Sequence, residues 1–223
     1  MSHEPVHFVL KLLPAIVPLL LWAGARWFNP RSLAKRRLAR VKTLSLATLE
    51  HGQEAHVIGV AAPLHETLTS PIDQRPCLGY SATIDLGTER QRSLQEGGRS
   101  VTVWSESRCV PFQLADGAVT AIVQGPFNLQ VDVDDMGEVW SNLPPAVFRL
   151  LDENKVDVQG SEIRFTEARL VAGDRVAVLG RVVAAPDPQG QRASPRAAPM
   201  GVQLVGSSDQ PVDIIDADVD DVG

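Results

Sequence analysis

The residue best placed for chemistry is Cys77, because a cation and a turn lie beside it in the sequence. Arg75 precedes it by two residues, and a nearby positive charge lowers the pKa of a thiol. His51, His56 and His65 are histidines that folding could bring to Cys77 as a general base. This pattern would suit a thiol-dependent enzyme, but a buried cysteine in a β-strand is the interpretation that we favour.

The turn that precedes Cys77 is the best candidate for a ligand-binding edge. Binding residues are often carried by loops that a rigid scaffold positions. The alternative is a purely structural connection between two strands. The candidate ligand-binding residues are Ser70, Pro71, Asp73, Arg75 and Cys77.

Other chemistry has weaker support in the sequence. Asp132, Asp134, Asp135 and Glu138 lack the spacing and the glycine of a calcium-binding loop, which favours a solvated loop over a metal site. The chain contains no HExxH, GxGxxG, GxSxG or P-loop pattern. Its two cysteines form no CxxC pair, so this chain cannot build a zinc finger or a RING by itself. We therefore predict no metal, no cofactor and no catalytic residue.

Phe8–Phe28 is the segment that indicates where the protein is located. It is apolar from Leu12 to Ala25 and just long enough to cross a bilayer, which takes about 20 residues. Lys11 and Arg26 lie near its ends, where long basic side chains reach the interface. Pro14 and Pro18 argue for a kinked helix.

A cleaved signal peptide ending near Ala23–Ala25 and a buried core helix are the alternatives to a spanning helix. A signal peptide carries its basic residues before the apolar segment, whereas here they follow it. By the positive-inside rule the N-terminus lies outside and the following domain lies on the cytoplasmic face. The basic residues of this predicted membrane-surface collar are Arg26, Arg31, Lys35, Arg36, Arg37, Arg40 and Lys42.

The charge distribution is strongly asymmetric. Residues 1–42 carry 8 basic residues and 1 acidic residue, whereas residues 43–223 carry 13 basic and 26 acidic residues. A basic collar suits anionic lipid headgroups. The acidic remainder would be repelled by nucleic acid, so the predicted partners are the lipid bilayer and a protein of unknown identity.

Beyond residue 44 short apolar runs alternate with turn signals, which is typical of a barrel or a sandwich. We predict a β-dominated α+β fold in which Asp116–Gly117 forms a hairpin turn and Ala172–Asp174 a second turn. The predicted strands are Glu54–Ala62, Cys77–Leu86, Ser100–Glu106, Val110–Leu114, Ala118–Val123, Leu129–Val133, Glu162–Leu170, Arg175–Ala184, Gly201–Val205 and Val212–Ile215.

One helix is predicted inside this β-rich region. Asn142 is its expected cap, and residues 146–153 place Val147, Leu150 and Leu151 on one face, where the helix could plug an open end of the sheet. The complete division is an anchor at 1–30, a basic helical spacer at 31–43, a β-rich domain at 44–215 with flexible loops at 91–99 and 186–199, and an acidic tail at 216–223.

Three segments of the β-rich region resemble the motifs of the GIDE domain, also called the BAM ("beside a membrane") domain. Leu68–Tyr80, LTSPIDQRPCLGY, resembles its leading L-x-S-P and R-P-C motif. Val110–Gly117, VPFQLADG, resembles its hairpin, and Glu167–Arg181, EARLVAGDRVAVLGR, resembles its closing motif. The order and spacing of the three segments also agree with the family.

This resemblance implies a domain that lies against a bilayer, as in the E3 ubiquitin ligases of mitochondria and chloroplasts. In those proteins a second span and a RING follow the domain, whereas here residues 211–223 are acidic. The expected function is thus a single-pass, membrane-tethered binding or scaffold module of bacterial type. A ligase-family protein without its RING and a thiol enzyme using Cys77 are the alternatives.

Overall fold

Strands account for most of the chain that the structure describes. The structure is a computed structural model that describes residues 37–38, 40–88, 100–131, 133–139, 143–158, 161–186 and 200–217. Residues 42–223 form one compact unit, and residues 1–41 belong to a separate one.

The described part of the compact unit contains 13 strands, one α-helix and one 3₁₀ turn, the last at Leu46–Thr48. The helix, α1, spans Pro145–Glu153. The strands are β1 (Glu54–Pro63), β2 (Leu68–Thr69), β3 (Pro76–Cys77), β4 (Gly79–Thr88), β5 (Val101–Cys109), β6 (Phe112–Asp116), β7 (Val119–Gln124), β8 (Phe127–Gln130), β9 (Val133–Val139), β10 (Ser161–Leu170), β11 (Arg175–Pro186), β12 (Met200–Val205) and β13 (Val212–Asp216).

Five of these strands close into a small barrel in the order β1-β6-β7-β12-β11, because β11 also pairs with β1. The closing pair is antiparallel and runs from Glu54 opposite Arg181 to Val60 opposite Arg175. Only β7 and β12 pair in parallel within this ring. The result is a five-stranded Greek-key barrel, the architecture to which the OB-fold belongs.

Two barrel strands continue past a sharp bend into a second parallel pair. β7 leads through Gly125 into β8, β12 leads through Gly206 towards β13, and β13 pairs in parallel with β8. Gly125 has a φ of +128°, and a Cβ built on it would lie 2.9 Å from the backbone nitrogen of Gly206. Both strands therefore bend at the same level, where only glycine allows the two backbones to approach so closely.

A second sheet, in the order β5-β4-β10-β9, is built from two excursions of the chain out of the barrel. The first excursion lies between β1 and β6, and the second between β7 and β11. Helix α1 covers one face of this sheet. Its Val147, Leu150 and Leu151 pack against apolar residues of β4 and β10, which include Ile84 and Phe165.

Strand β10 belongs to the second sheet but contributes side chains to both hydrophobic cores. Ala168 and Leu170, at its end, belong to the barrel core with Phe112 and Val178. Ile163 and Phe165, nearer its start, belong to the cluster beneath α1. The strand alternates between two cores because successive side chains point to opposite faces of a sheet.

The structure confirms a β-dominated fold with a barrel. The Asp116–Gly117 hairpin turn joins β6 to β7, with Asp116 opposite Val119. The second predicted turn, around Gly173, connects β10 to β11, which lie in different sheets rather than in one hairpin.

Three expectations about local structure are wrong. Residues 133–139 form strand β9 rather than a loop, because pairing with β10 overrides the low β propensity of aspartate and glycine. The N-cap of α1 is Pro144 rather than Asn142, and no side chain caps it. The helix also covers a face of the second sheet and does not plug an open end.

The predicted span Phe8–Phe28 lies outside the described residues, as do residues 91–99 and 187–199 and the last part of the acidic tail. The described residues include no helix that is both long enough and apolar enough to cross a bilayer. The anchor therefore stays a prediction.

A substitution at Gly59 tests the closeness of the barrel strands. A Cβ at this position would lie 2.7 Å from the carbonyl oxygen of Ala115 and 2.8 Å from the side chain of Leu114. We expect Gly59→Ala to lower the free energy of unfolding by about 1–3 kcal/mol, as measured by urea denaturation.

Gly180→Ala is the matched control for Gly59→Ala. A Cβ at Gly180, in the adjacent strand β11, would have its nearest neighbour at 3.5 Å, an ordinary contact distance. The control variant should retain the stability of the parent protein. Equal losses in the two variants would contradict the close approach of β1 to β6.

Candidate functional site

The five predicted ligand-binding residues lie together in one small hairpin. Strand β2 pairs with β3, with Leu68 opposite Cys77, and residues 70–75 form the loop between them. The backbone N–H of Ser70 donates to the carbonyl oxygen of Arg75 at 2.9 Å. In return the N–H of Arg75 donates to Ser70 Oγ at 3.3 Å, and Ser70 is fully buried.

Gln74 completes the loop from within. It has a φ of +59°, which is uncommon for a residue with a side chain. Its Nε2 donates to the carbonyl oxygens of Ser70 at 3.2 Å and of Pro71 at 2.7 Å. These bonds satisfy backbone acceptors that a tight loop would otherwise leave without partners.

A buried carboxylate from the second sheet holds the tip of the loop. Glu167, on β10, is 1% exposed and accepts two backbone hydrogen bonds. Ile72 N–H donates to Oε1 at 2.8 Å and Asp73 N–H donates to Oε2 at 3.0 Å. Because the charged carboxylate is buried, these bonds and the nearby cations must offset its desolvation.

Those cations belong to two arginines that contact Asp73. Arg169 Nη1 lies 2.7 Å from Asp73 Oδ2, and its side chain is only 10% exposed. Arg75 Nε lies 3.0 Å from the same oxygen, with a side chain that is 67% exposed. We call Glu167, Asp73, Arg169 and the loop 70–75 the loop clamp.

The loop clamp joins two of the segments that resemble GIDE motifs. Ser70 and Pro71 lie in the first segment, and Glu167 opens the last. They are distant in sequence, yet Glu167 bonds directly to the loop that follows Pro71. The polar groups of the two motifs therefore form hydrogen bonds with each other.

Both thiols are held in their protonated form. Burial, and next the charge of Glu167, raise the pKa of Cys77 to about 11, although the charge of Arg169 acts in the opposite direction. Burial, and next the neighbouring Cys77, raise the pKa of Cys109 to about 12. Cys77 packs beneath α1, whereas Cys109 packs against the barrel core, and both are free thiols.

The histidines considered as bases for Cys77 have other positions. His51 Nδ1 accepts a hydrogen bond from Ala184 N–H of β11 at 3.2 Å. His56, on β1, is buried with its Nδ1 3.2 Å from Thr43 Oγ1. His65 is exposed in the connection after β1. Within the described residues we therefore find no support for an activated thiol.

A second polar contact attaches the chain before the barrel to the barrel itself. Asp116 Oδ2 accepts from Ser45 Oγ at 2.8 Å and from Leu46 N–H at 3.1 Å. Leu46 is 2% exposed and packs in the barrel core. Thr43 forms a parallel bridge with His56, so the chain is fixed to the barrel from Thr43 onwards.

Three of the seven predicted membrane-surface residues lie within the described part of the chain. Arg40 and Lys42 are exposed, and Arg37 is half-buried. Arg26, Arg31, Lys35 and Arg36 lie outside it. No group of three or more histidine, cysteine, aspartate or glutamate side chains in the described residues could hold a metal ion.

Sequence reasoning did not single out Glu167 and Arg169 as functional candidates. A signal for them exists, because Ile163, Phe165 and Glu167 follow one another with a period of two along β10. A charge in such an apolar row faces the core and needs a specific partner. The partners themselves are not visible in the sequence.

Comparison with known proteins adds no family to these observations. No protein-family model matches the chain, and no curated protein sequence matches it. The resemblance to the GIDE domain therefore stays a prediction that rests on the three motif segments.

Removing the charge of Glu167 tests the loop clamp. In Glu167→Gln an amide N–H₂ group replaces one of the two carboxylate oxygens. This group is a donor, so it cannot accept the backbone N–H that it faces. We expect the free energy of unfolding to fall by about 2 kcal/mol in urea denaturation, because a buried donor loses its acceptor. A loss of stability no larger than that of an exposed glutamate would show that the carboxylate does not hold the loop.

Glu153→Gln is the control for this measurement. Glu153 lies in α1, 3.8 Å from Arg149, with a side chain that is 60% exposed. An exposed pair of this kind contributes little, so we expect a change below about 0.5 kcal/mol.

The raised thiol pKa values predict slow alkylation. At pH 8 we expect Cys77 and Cys109 in the folded protein to react with iodoacetamide at least about a hundredfold more slowly than in urea, because the thiolate is the nucleophile. The rate should rise about tenfold per pH unit until the pH reaches the thiol pKa. Mass spectrometry of the labelled peptides measures the two sites separately, and fast labelling of Cys77 in the folded protein would revive the thiol-enzyme alternative.

Proposed function

We propose that the chain is a non-enzymatic binding or scaffold module that Phe8–Phe28 attaches to a membrane. Its N-terminus would lie outside and residues 43–223 on the cytoplasmic face. The observation that carries the proposal is the loop clamp, in which the polar groups of the best candidate site bond to each other. These contacts fix the conformation of a surface loop. Binding residues are often carried by loops that a rigid scaffold positions in this way.

The attachment of Ser45 and Leu46 to the barrel supports the idea of a short tether. Only residues 29–42 separate the predicted span from Thr43. Even fully extended they would reach at most about 50 Å, so the domain would stay near the headgroups. The basic collar falls within this connection, where anionic lipids would attract it.

A role in nucleic-acid binding has little support from the barrel surface. OB-type barrels bind oligonucleotides on the face of their second and third strands, which here are β6 and β7. Neither strand contains lysine or arginine, and the exposed residues of β7 include Thr120 and Gln124. Without cations such a face cannot neutralise phosphates.

The two alternatives are less favoured. A ligase would need a RING outside residues 1–223, because these residues contain only two cysteines, Cys77 and Cys109. A thiol enzyme would need a lowered thiol pKa, whereas burial raises the pKa of Cys77 to about 11. The resemblance to the GIDE domain accordingly favours the domain without the ligase activity.

Membrane fractionation tests the proposed tether. The full chain should remain in the membrane pellet after washing with sodium carbonate and with 1 M salt, since an apolar span resists both. Residues 43–223 alone should appear in the soluble fraction. Protease added to inverted vesicles should digest the domain, whereas protease outside right-side-out vesicles should leave it intact.

A collar variant separates the span from surface attraction. Arg36→Gln, Arg37→Gln and Arg40→Gln together remove three positive charges but leave Phe8–Phe28 unchanged. We expect this variant to stay in the pellet. Its release by carbonate, or release of the full chain, would contradict a spanning helix.

A further inference from the structure

Strand β5 forms an edge of the second sheet. It pairs with β4 from Gly79 opposite Cys109 to Leu86 opposite Val101. No described strand pairs with its other side, since the sheet order begins at β5. The open side of an edge strand presents N–H and C=O groups that can pair with another strand.

This edge has few of the features that usually protect one. The strand is nine residues long and contains neither proline nor lysine. Its one irregularity is a shift of register at Val103, which lies opposite no residue of β4 because the pairing passes from Trp104 directly to Thr102. Val101 is 62% exposed, and Val103 and Trp104 are half-buried. An open backbone edge that also exposes an apolar side chain at Val101 favours association.

The opposite edge of the same sheet differs in charge. Strand β9 contains Asp134, Asp135 and Glu138 and no basic residue. Two copies of such a strand would place like charges near one another, which destabilises cross-strand pairs. Of the two edges, β5 is therefore the one suited to pairing with itself.

The charges of β5 are complementary to those of a second β5 in the antiparallel direction. Glu106 lies opposite Ala82 and Arg108 lies opposite Tyr80, so both are on one face of the sheet. A two-fold axis through Ser107 would place Glu106 of each copy opposite Arg108 of the other. An axis through Glu106 would instead place two carboxylates opposite each other, so the charges select the first register.

We propose that a second copy of this chain docks along β5, with Ser107 on the two-fold axis, so that the two second sheets join into one. The backbone groups of both edges then pair, which removes the open edge from each copy. Glu106 and Arg108 form two equivalent cross-strand ion pairs. Such an isologous contact closes after two copies, which distinguishes it from open-ended aggregation.

Charge reversal tests the proposal in the full chain. Glu106→Arg alone places two arginines opposite each other, and Arg108→Glu alone places two glutamates there. We expect either variant to raise the dissociation constant of the dimer at least about tenfold. Native mass spectrometry of the full chain released from detergent micelles measures the monomer and dimer populations over a range of concentrations.

A mixture of the two variants separates contacts between copies from contacts within one. Glu106 and Arg108 both lie at the hydroxyl of Tyr80 in their own chain, so each single variant disturbs that contact too. In a mixed dimer, however, every residue at 106 again faces an opposite charge at 108. We expect the mixture to form mixed dimers with close to the affinity of the parent protein, although the contacts at Tyr80 remain disturbed in both chains.

Cross-linking locates the axis independently. Ser107→Cys should form a disulfide-linked dimer under mild oxidation, because Ser107 is exposed and would face its own copy. Thr120→Cys, at an exposed position of β7, is the control and should remain monomeric on a non-reducing gel. A monomeric parent protein, a dimer that both charge variants leave intact, or equal cross-linking by the control would overturn the proposal.

Discussion

The buried carboxylate of Glu167 is the interaction on which the attachment of the β2–β3 hairpin to the second sheet depends. It accepts hydrogen bonds from Ile72 and Asp73 and thereby joins the β2–β3 hairpin to β10. Arg169, on the same strand, contacts Asp73 and supplies a compensating positive charge. A buried charge is stable only with such partners, so a change to any one of them affects all of them.

The position of β10 extends this constraint to the barrel. Its end contributes Leu170 to the barrel core, whereas its start contributes Phe165 to the cluster beneath α1. The loop clamp lies between these two ends, at Glu167 and Arg169. The hairpin, the second sheet and the barrel core are thus connected through β10, although the hairpin loop lies about 95 residues before Glu167 in the sequence.

Much of the strand pattern could be predicted, because ten strands have an apolar periodicity or a turn signal of their own. Strand β9 could not, since its aspartates and glycine favour a loop until β10 supplies a neighbour. For the site, the sequence indicated the loop around Ser70 and Cys77 but not its contacts. Glu167 lies 95 residues from Ile72, and no local pattern specifies that pair.

Closure of the barrel by β1 and β11 has a consequence for how the chain folds. These strands begin at Glu54 and Arg175, so β1 has no partner on that side until the ribosome has made most of the protein. Strands β6 and β7 are separated only by residues 117 and 118 and can pair first. Because non-local pairing is slow, the barrel is expected to close last, and the exposed edge of β1 is the segment that chaperones would need to shield during synthesis.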